Sequence, residues 1–361
     1  MRSLGTCLFN LFLKRRVNME RDLETIEDLG EFEFIRSISQ GCIHGPEGIL
    51  QGIGDDCAVI GPFGDKVLLV TTDLLVENVH FILDRTPARH LGEKAVAVNL
   101  SDIAAMGGVP RHLFVSLAIP HSFPLRILNA LYEGMKELCR AYGVNLLGGD
   151  TSASLAGLFI NVAVIGEAMT DQVLYRKGAS PGDSIYVTGP LGEAAAGLKI
   201  LKGQIEAGLA DWPSLIKALT RPRPQVEEGR IIAKSGLASA MIDLSDGLVA
   251  DLGHICEASD SGAEILEECL PLSNTLISFA KKYNQDPIGL CLWGGEDYQL
   301  LITVPAANGP AFERMFKEKG CGPVYKIGKI TEGRRIRCVR PDGTERVLHG
   351  VGFDHFKEAG Q

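Results

Sequence analysis

The sequence predicts a mixed α/β (α+β) protein built as two domains. Three observations carry that expectation. Runs of β-branched and apolar residues alternate with stretches whose apolar positions recur every three or four residues. A turn cluster bearing Gly and Pro, YRKGASPGDS at 175–184, interrupts the pattern near the middle of the chain. The length of 361 residues exceeds what one core of ordinary size organises.

The elements follow in chain order. The first eighteen residues, MRSLGTCLFNLFLKRRVN, hold a short apolar run followed by KRR. A signal peptide has the reverse order, and the run is too short to span a bilayer. Residues 1–18 are therefore expected to be a dispensable extension or a start-site artefact. The first domain is placed at 19–175 and the second at 176–361. Strands are expected at 66–76 (KVLLVTTDLLV), 112–120, 158–168, 184–189 and 298–305. A helix is expected over 125–143, where Leu128, Leu131, Met135 and Leu138 share a face and Gly143 supplies the stop. GEKAVAVNLSDIAAMGG (92–108) and LSDGLVADLGHICEASD (244–260) also read as helices. Both halves are read as setting Leu-Ser-Asp in front of an apolar helix, a faint echo too short to establish a duplication.

Composition narrows the function. The chain is 45% hydrophobic and 22% charged, enough for a real core. Its net charge of -9 argues against nucleic acid or an anionic membrane as the main partner. Anionic small molecules remain open, provided metal ions or local Arg and Lys bridge them. The nine cysteines form no C-x-x-C pair, and Cys57, Cys139 and Cys256 sit in apolar contexts. They read as free thiols of a reducing, cytoplasmic compartment.

The chemistry lies in six acidic stretches that interrupt apolar or Gly-rich sequence: GIGDDCA (Asp55, Asp56), TTDLLV (Asp73), NLSDIAAMGG (Asp102), LLGGDTS (Asp150), MIDLSDGL (Asp243, Asp246) and WGGEDYQL (Glu296, Asp297). Any one of these is read most simply as a turn or cap residue. Caps need neither a preceding Gly-Gly nor an adjacent pair, so the six together point to a site for several metal ions. The donors are nearly all oxygen, with Thr71, Thr72, Ser101, Thr151 and Ser245 beside the carboxylates. Hard oxygen donors suit Mg²⁺, Ca²⁺ or Mn²⁺, and Mg²⁺ shared with substrate phosphates is the simplest match. The usual phosphate and acyl-transfer signatures are missing: there is no G-x-x-x-x-G-K-[ST], no kinase H-R-D or D-F-G set and no G-x-S-x-G. VTGPLGEAAAGL (187–198) is either a turn or an anion cradle at a helix N-terminus.

GIGDDCA, TTDLLVENVHF, KAVAVNLSDIAAMGGVP, LLGGDT, YRKGASPGD, IDLSDGL and GGEDYQLL occur in this order. The ordered set closely resembles the thiamine-monophosphate kinase family, of the superfamily that includes aminoimidazole ribonucleotide synthase, over about residues 30–356. The resemblance implies an aminoimidazole ribonucleotide synthase-like fold of two domains, with the N-terminal sheet paired across a homodimer. It implies Mg²⁺-dependent transfer of the ATP γ-phosphoryl group to thiamine monophosphate, giving thiamine diphosphate and ADP. By the same resemblance Asp56, Thr71, Thr72, Asp73, Asp102, Asp150, Asp243 and Asp246 hold several Mg²⁺ ions. Gly149, Asp150, Arg176 and Ser245 contact ATP, and His80, Glu296 and Phe353 contact the substrate. Asp55 is a supporting neighbour. Without the resemblance His80 reads as a core histidine, Arg176 as a solvated turn residue and Phe353 as C-terminal packing. The alternatives are another ATP-dependent enzyme of the superfamily, or a homologue that binds nucleotide and metal without catalysis.

A phosphate monoester is already largely ionised at neutral pH, since its second pKa lies near about 6. No general base is needed, and positioning with charge neutralisation carries a direct in-line transfer without a phosphoenzyme.

Overall fold

The structure is a computed structural model that describes residues 25–39 and 41–348. The expected extension at 1–18 and the substrate residue Phe353 lie outside the described residues. The chain divides into two compact units, one of residues 1–45 with 353–361 and one of residues 46–352. In the first, helix α1 (Ile26–Leu29) opens on a capping box. The Thr25 hydroxyl accepts from the Asp28 N–H while the Asp28 carboxylate accepts from the Thr25 N–H. Helix α2 (Glu31–Ser39) follows directly.

The second unit holds two mixed sheets. The first comprises β1 (Ile49–Gln51), β2 (Ala58–Phe63), β3 (Lys66–Val76), β4 (Val109–Pro120), β5 (Asn145–Ser154) and β6 (Phe159–Met169). Its order is β1-β2-β3-β6-β4-β5, with only the β4–β5 pair parallel. Two helices, α3 (Ala88–Ala105) and α4 (Leu125–Tyr142), connect its strands. The second sheet comprises β7 (Ser184–Val187), β8 (Ala240–Asp243), β9 (Gly262–Leu266), β10 (Leu300–Val304), β11 (Tyr325–Thr331), β12 (Ile336–Val339) and β13 (Glu345–Leu348). Its order is β13-β12-β9-β11-β7-β10-β8. Its helices are α5 (Glu193–Leu201), α6 (Pro213–Thr220), α7 (Val226–Ser235), α8 (Leu248–Ala258), α9 (Asn274–Tyr283), α10 (Pro287–Trp293) and α11 (Gly309–Glu318).

Helix α3 organises the packing. It is buried along fourteen of its eighteen residues, polar ones such as Lys94, Asn99 and Ser101 included, as a helix enclosed on nearly every side is. One core joins it to the inner face of the first sheet and to Tyr186, Met241, Leu300 and Ile302 of the second. Ile185, Val187, Ile242 and Leu301 alternate with those residues and enter a second core with Leu248, Leu252 and Ile255 of α8. Helix α4 ends at Gly143, left-handed at φ 68°, as its sequence predicts. The Leu-Ser-Asp echo does not survive as drawn. Leu100-Ser101-Asp102 lies inside the last turns of α3, whereas Leu244-Ser245-Asp246 is a strand-to-helix turn.

The close crossing of α3 and α4 rests on two glycines. A Cβ at Gly92 would sit 1.9 Å from the Leu131 carbonyl oxygen, and one at Gly134 would sit 1.9 Å from that of Arg89. Each meets backbone, which yields only if the helices separate. Gly92→Ala is therefore expected to destabilise the protein by about 2–3 kcal/mol despite the better helix propensity of Ala. Urea denaturation of the two proteins measures this, and an unchanged midpoint would show that the helices part freely.

Candidate active site

Four carboxylates from distant parts of the chain converge. Asp56 ends the GIGDD segment ahead of β2, Asp73 lies on β3, Asp102 on α3 and Asp243 at the end of β8. Oxygens of Asp56, Asp102 and Asp243 lie within 4.8 Å of one another. The hydroxyls fall into place around them. Thr71 Oγ1 donates to Asp102 Oδ2 at 2.5 Å, and Ser101 Oγ donates to Asp243 Oδ2 at 2.6 Å. Asn99, wholly buried, accepts from the Asp73 N–H through Oδ1 at 3.1 Å.

The electrostatics are those of like charges forced together. Burial, then Asp73, Asp243 and Asp56, push Asp102 well above the usual carboxylate range. Burial and Asp56 lift Asp243 to about 8, and burial alone lifts Asp73 to about 6. Burial and Asp56 lift Asp55 to about 7. One cation answers them directly: Arg176 donates to Asp56 Oδ1 through Nε at 3.1 Å and Nη2 at 2.5 Å, while its N–H reaches Asp55 Oδ2 at 3.2 Å. Asp56 Oδ2 remains buried without a hydrogen-bond partner. Three converging carboxylates, one of them with an orphaned buried oxygen, in a donor set of oxygen only, fit a hard divalent cation such as Mg²⁺.

Strand pleat separates the remaining expected ligands. Thr71 and Asp73 share the α3-facing side of β3, so Thr72 points to the opposite face. There its hydroxyl donates to the Val162 carbonyl at 3.2 Å and accepts from Asn161 at 2.9 Å. Asp150 is exposed on the edge strand β5, in register with Ser116, Asn161 and Leu74 on that same outer face. Gly149 pairs with Val115 so closely that a Cβ would meet its carbonyl oxygen at 1.6 Å. Ser245 and Asp246 lie in the turn between β8 and α8. Asp246, Asp251 and His254 form a second group whose ligand atoms lie within 4.8 Å of one another. Asp251 Oδ2 also shapes that turn, accepting from the N–H groups of Asp246 and Gly247. Burial, and then Arg176, lower His254 to about 4, so its ring is neutral.

His80 and Glu296 meet a residue that the sequence reading passed over. Lys94 Nζ donates to both oxygens of Glu296, at 2.8 and 2.9 Å, and lies 3.5 Å from the His80 carbonyl oxygen. Its signal was a lysine inside the apolar run GEKAVAV. Asp251 and His254 were legible only as an i, i+3 pair on α8. Asp297 is structural. Its Oδ2 accepts from the Gly192 N–H at 2.8 Å at the start of α5, so the anion cradle offered by 187–198 is filled by a side chain of the protein.

The chain matches two family models, AIR synthase related protein, N-terminal domain, over 54–168, and AIR synthase related protein, C-terminal domain, over 180–340. It is 36% identical to the thiamine-monophosphate kinase of Bacillus subtilis strain 168, covering 91% of this chain and 100% of that protein. It is 40% identical to the thiamine-monophosphate kinase of Escherichia coli strain K12, covering 84% and 91%. Among solved structures it resembles AaThiL complexed with AMPPCP and TMP, at 34% identity and a TM-score of 0.79, covering 93% of this chain and 100% of that one.

Asp297 gives a pH prediction. Burial pushes its carboxyl from 3.8 up to about 8, against the backbone donors that favour the anion. The folded state therefore holds a proton that the unfolded chain releases, and stability from this group declines as pH rises between about 4 and 8. Asn has no such proton. Wild type is expected to outlast Asp297→Asn by more at pH 5 than at pH 8 in urea denaturation. A gap that widens with pH would refute the assignment.

Proposed function

The chain belongs to the AIR synthase related family and, within it, to the thiamine-monophosphate kinases, and from that membership we propose that it transfers the ATP γ-phosphoryl group to thiamine monophosphate. The bond between the γ-phosphorus and the β,γ-bridging oxygen breaks, a bond to an oxygen of the acceptor phosphate forms, and ADP leaves with thiamine diphosphate as the product. The observation that carries this reading is the convergence of Asp56, Asp102 and Asp243, with one Asp56 oxygen left unpartnered.

Two anionic phosphates must approach within bonding distance, and one pair of unit charges at 4 Å already costs about 4 kcal/mol at an effective dielectric of 20. Asp56, Thr71, Asp73, Asp102 and Asp243 would hold Mg²⁺ on the inner side of the sheet, with Asp246 in the neighbouring group. Bound there, Mg²⁺ would supply charge neutralisation between donor and acceptor phosphates. Arg176 presents a planar fork of donors that suits phosphate as well as the Asp56 carboxylate it now holds. With Ser245 it would form the nucleotide side on the inner face, and His80 and Glu296, joined through Lys94, would form the acceptor side. No general base is required, because the attacking oxygen is ionised.

A domain boundary near 176 is supported by the segment 170–183, which connects the last strand of the first sheet to the first strand of the second. A homodimer through the first sheet is supported by its uncovered outer face, where Leu74, Phe114 and Leu147 are 49%, 39% and 57% exposed. Thr72 and Asp150 lie on that same face, so their ligand roles belong with the paired form. A cytoplasmic location accords with the eight described cysteines, all free thiols. Among the described residues no helix is long and apolar enough to cross a membrane.

Turnover with ATP, Mg²⁺ and thiamine monophosphate tests the reading. Thiamine diphosphate is expected from the monophosphate and not from free thiamine, with EDTA abolishing it; no product would sink the proposal. Asp102→Asn should lower kcat by about 100- to 1000-fold. In EDTA the same variant should melt above wild type, because it removes one of the repelling carboxylates. A lower melting point would count against the charge argument. Phe114→Glu should shift the protein from dimer to monomer in sedimentation equilibrium, and a wild-type monomer would remove the dimer from the proposal.

A further inference from the structure

We infer that Lys94 is a positioning residue for the acceptor, fixing Glu296 and His80 relative to each other; this rests on the kinase reading above. The side chain of Lys94 is 3% exposed. A buried ammonium is costly, and an apolar residue of similar volume is often tolerated as well or better for stability alone. Here the ammonium is spent on two partners 216 positions apart in sequence, the Glu296 carboxylate and, at longer range, the His80 carbonyl.

Each partner's segment is anchored in its own part of the chain, and Lys94 joins the two. His80 Nδ1 accepts from the Val76 N–H at 2.9 Å, which leaves Nε2 carrying the proton of a neutral ring. Glu296 adopts a left-handed backbone at φ 67°, and Tyr298 does so at φ 48°. Such conformations persist where neighbours over-determine them. The Glu296 N–H donates to the Ser245 carbonyl at 2.7 Å and the Tyr298 N–H to that of Leu244 at 2.8 Å, so the segment is tied to the turn carrying Ser245 and Asp246. A Cβ at Gly295 would lie 2.5 Å from the Ser245 carbonyl oxygen, so the approach leaves no room for a side chain there. The backbone is thus bent to present Glu296 to Lys94.

Lys94 lies two helical turns ahead of Ser101 on one face of α3, about 10.5 Å along the axis from the residue that holds Asp243. A change at 94 therefore spares the cation ligands. The ammonium also neutralises the carboxylate it holds. A carboxylate has about four acceptor positions, and Lys94 takes two. Glu296 then offers the acceptor hydrogen-bond sites for an N–H donor, such as a ring amino group, in place of a bare negative charge for the thiazolium.

Steady-state kinetics of Lys94→Met and Lys94→Arg, with calorimetric melting in parallel, test this. Lys94→Met is expected to raise KM for thiamine monophosphate at least about 10-fold while KM for ATP moves less than about 2-fold. Lys94→Arg, which keeps charge and donors, should recover part of the loss. Should Lys94→Met fail to fold, the Arg variant and Glu296→Gln carry the same comparison of the two KM values. Equal shifts in both, or a fall in melting point with both KM values unchanged, would overturn the inference with the kinase reading intact. A wild type inactive toward thiamine monophosphate would overturn both.

Discussion

Mutual repulsion among buried carboxylates is the constraint on which this structure turns. Asp56, Asp73, Asp102 and Asp243 come from a loop, a strand, a helix and a strand of the other sheet, and nothing in their own chemistry draws them together. Their assembly is imposed by packing. Helix α3 carries Asp102 and is gripped by the first sheet, by α4 through Gly92 and Gly134, and by α7 through Gly229, where a Cβ would meet the Ala104 carbonyl oxygen at 2.1 Å. A helix buried on nearly every side is rigid enough to hold an acid against its neighbours. The unpartnered oxygen of Asp56 is what that imposition leaves behind, and it is the position a divalent cation would satisfy.

Two cations, Arg176 half-buried and Lys94 buried, divide the site between them. Arg176 stands at the Asp55–Asp56 pair, and Lys94 stands at Glu296. The adjacent aspartates of GIGDD demand a positive group, and the Arg176 guanidinium meets that demand. A fork of donors that suits carboxylates equally suits phosphates. Lys94 is a compact point charge in a near-dry setting, better suited to holding a single carboxylate in place. Asp297, one residue beyond Glu296, does something different again: it accepts from the Gly192 N–H at the start of α5 and fills the helix terminus of the glycine-rich stretch.

Much of the fold was legible because its signals are local. The strand at 66–76 and the helix stop at Gly143 follow from alternation and from the left-handed tolerance of glycine, both properties of a few neighbouring residues. The first Leu-Ser-Asp was misplaced for a related reason. Capping residues and helix-interior residues look alike in sequence, and only the packing of α3 decides that Ser101 and Asp102 are inside it. Asp102, Asp56 and Asp243 could be named in advance because carboxylates in apolar or Gly-rich surroundings are anomalous wherever they fold. Lys94 was passed over because a lysine in a helix is usually exposed, and its burial depends on residues far away in sequence.

By itself the sequence determined the alternation of strands and helices, the set of acidic residues and, through the ordered motifs, the family. Each of these is carried by residue type and short-range spacing, which need no partner to be read. Tertiary structure alone decided which of those acids converge. It set Thr71 and Asp73 on the inner face of β3 and sent Thr72 with Asp150 to the outer one. It brought Arg176 to Asp56, Lys94 to Glu296 and Asp297 to the start of α5. These pairings span up to 202 positions of sequence. Their energies depend on burial and on charges a few ångströms apart, quantities that exist only once the chain has closed on itself.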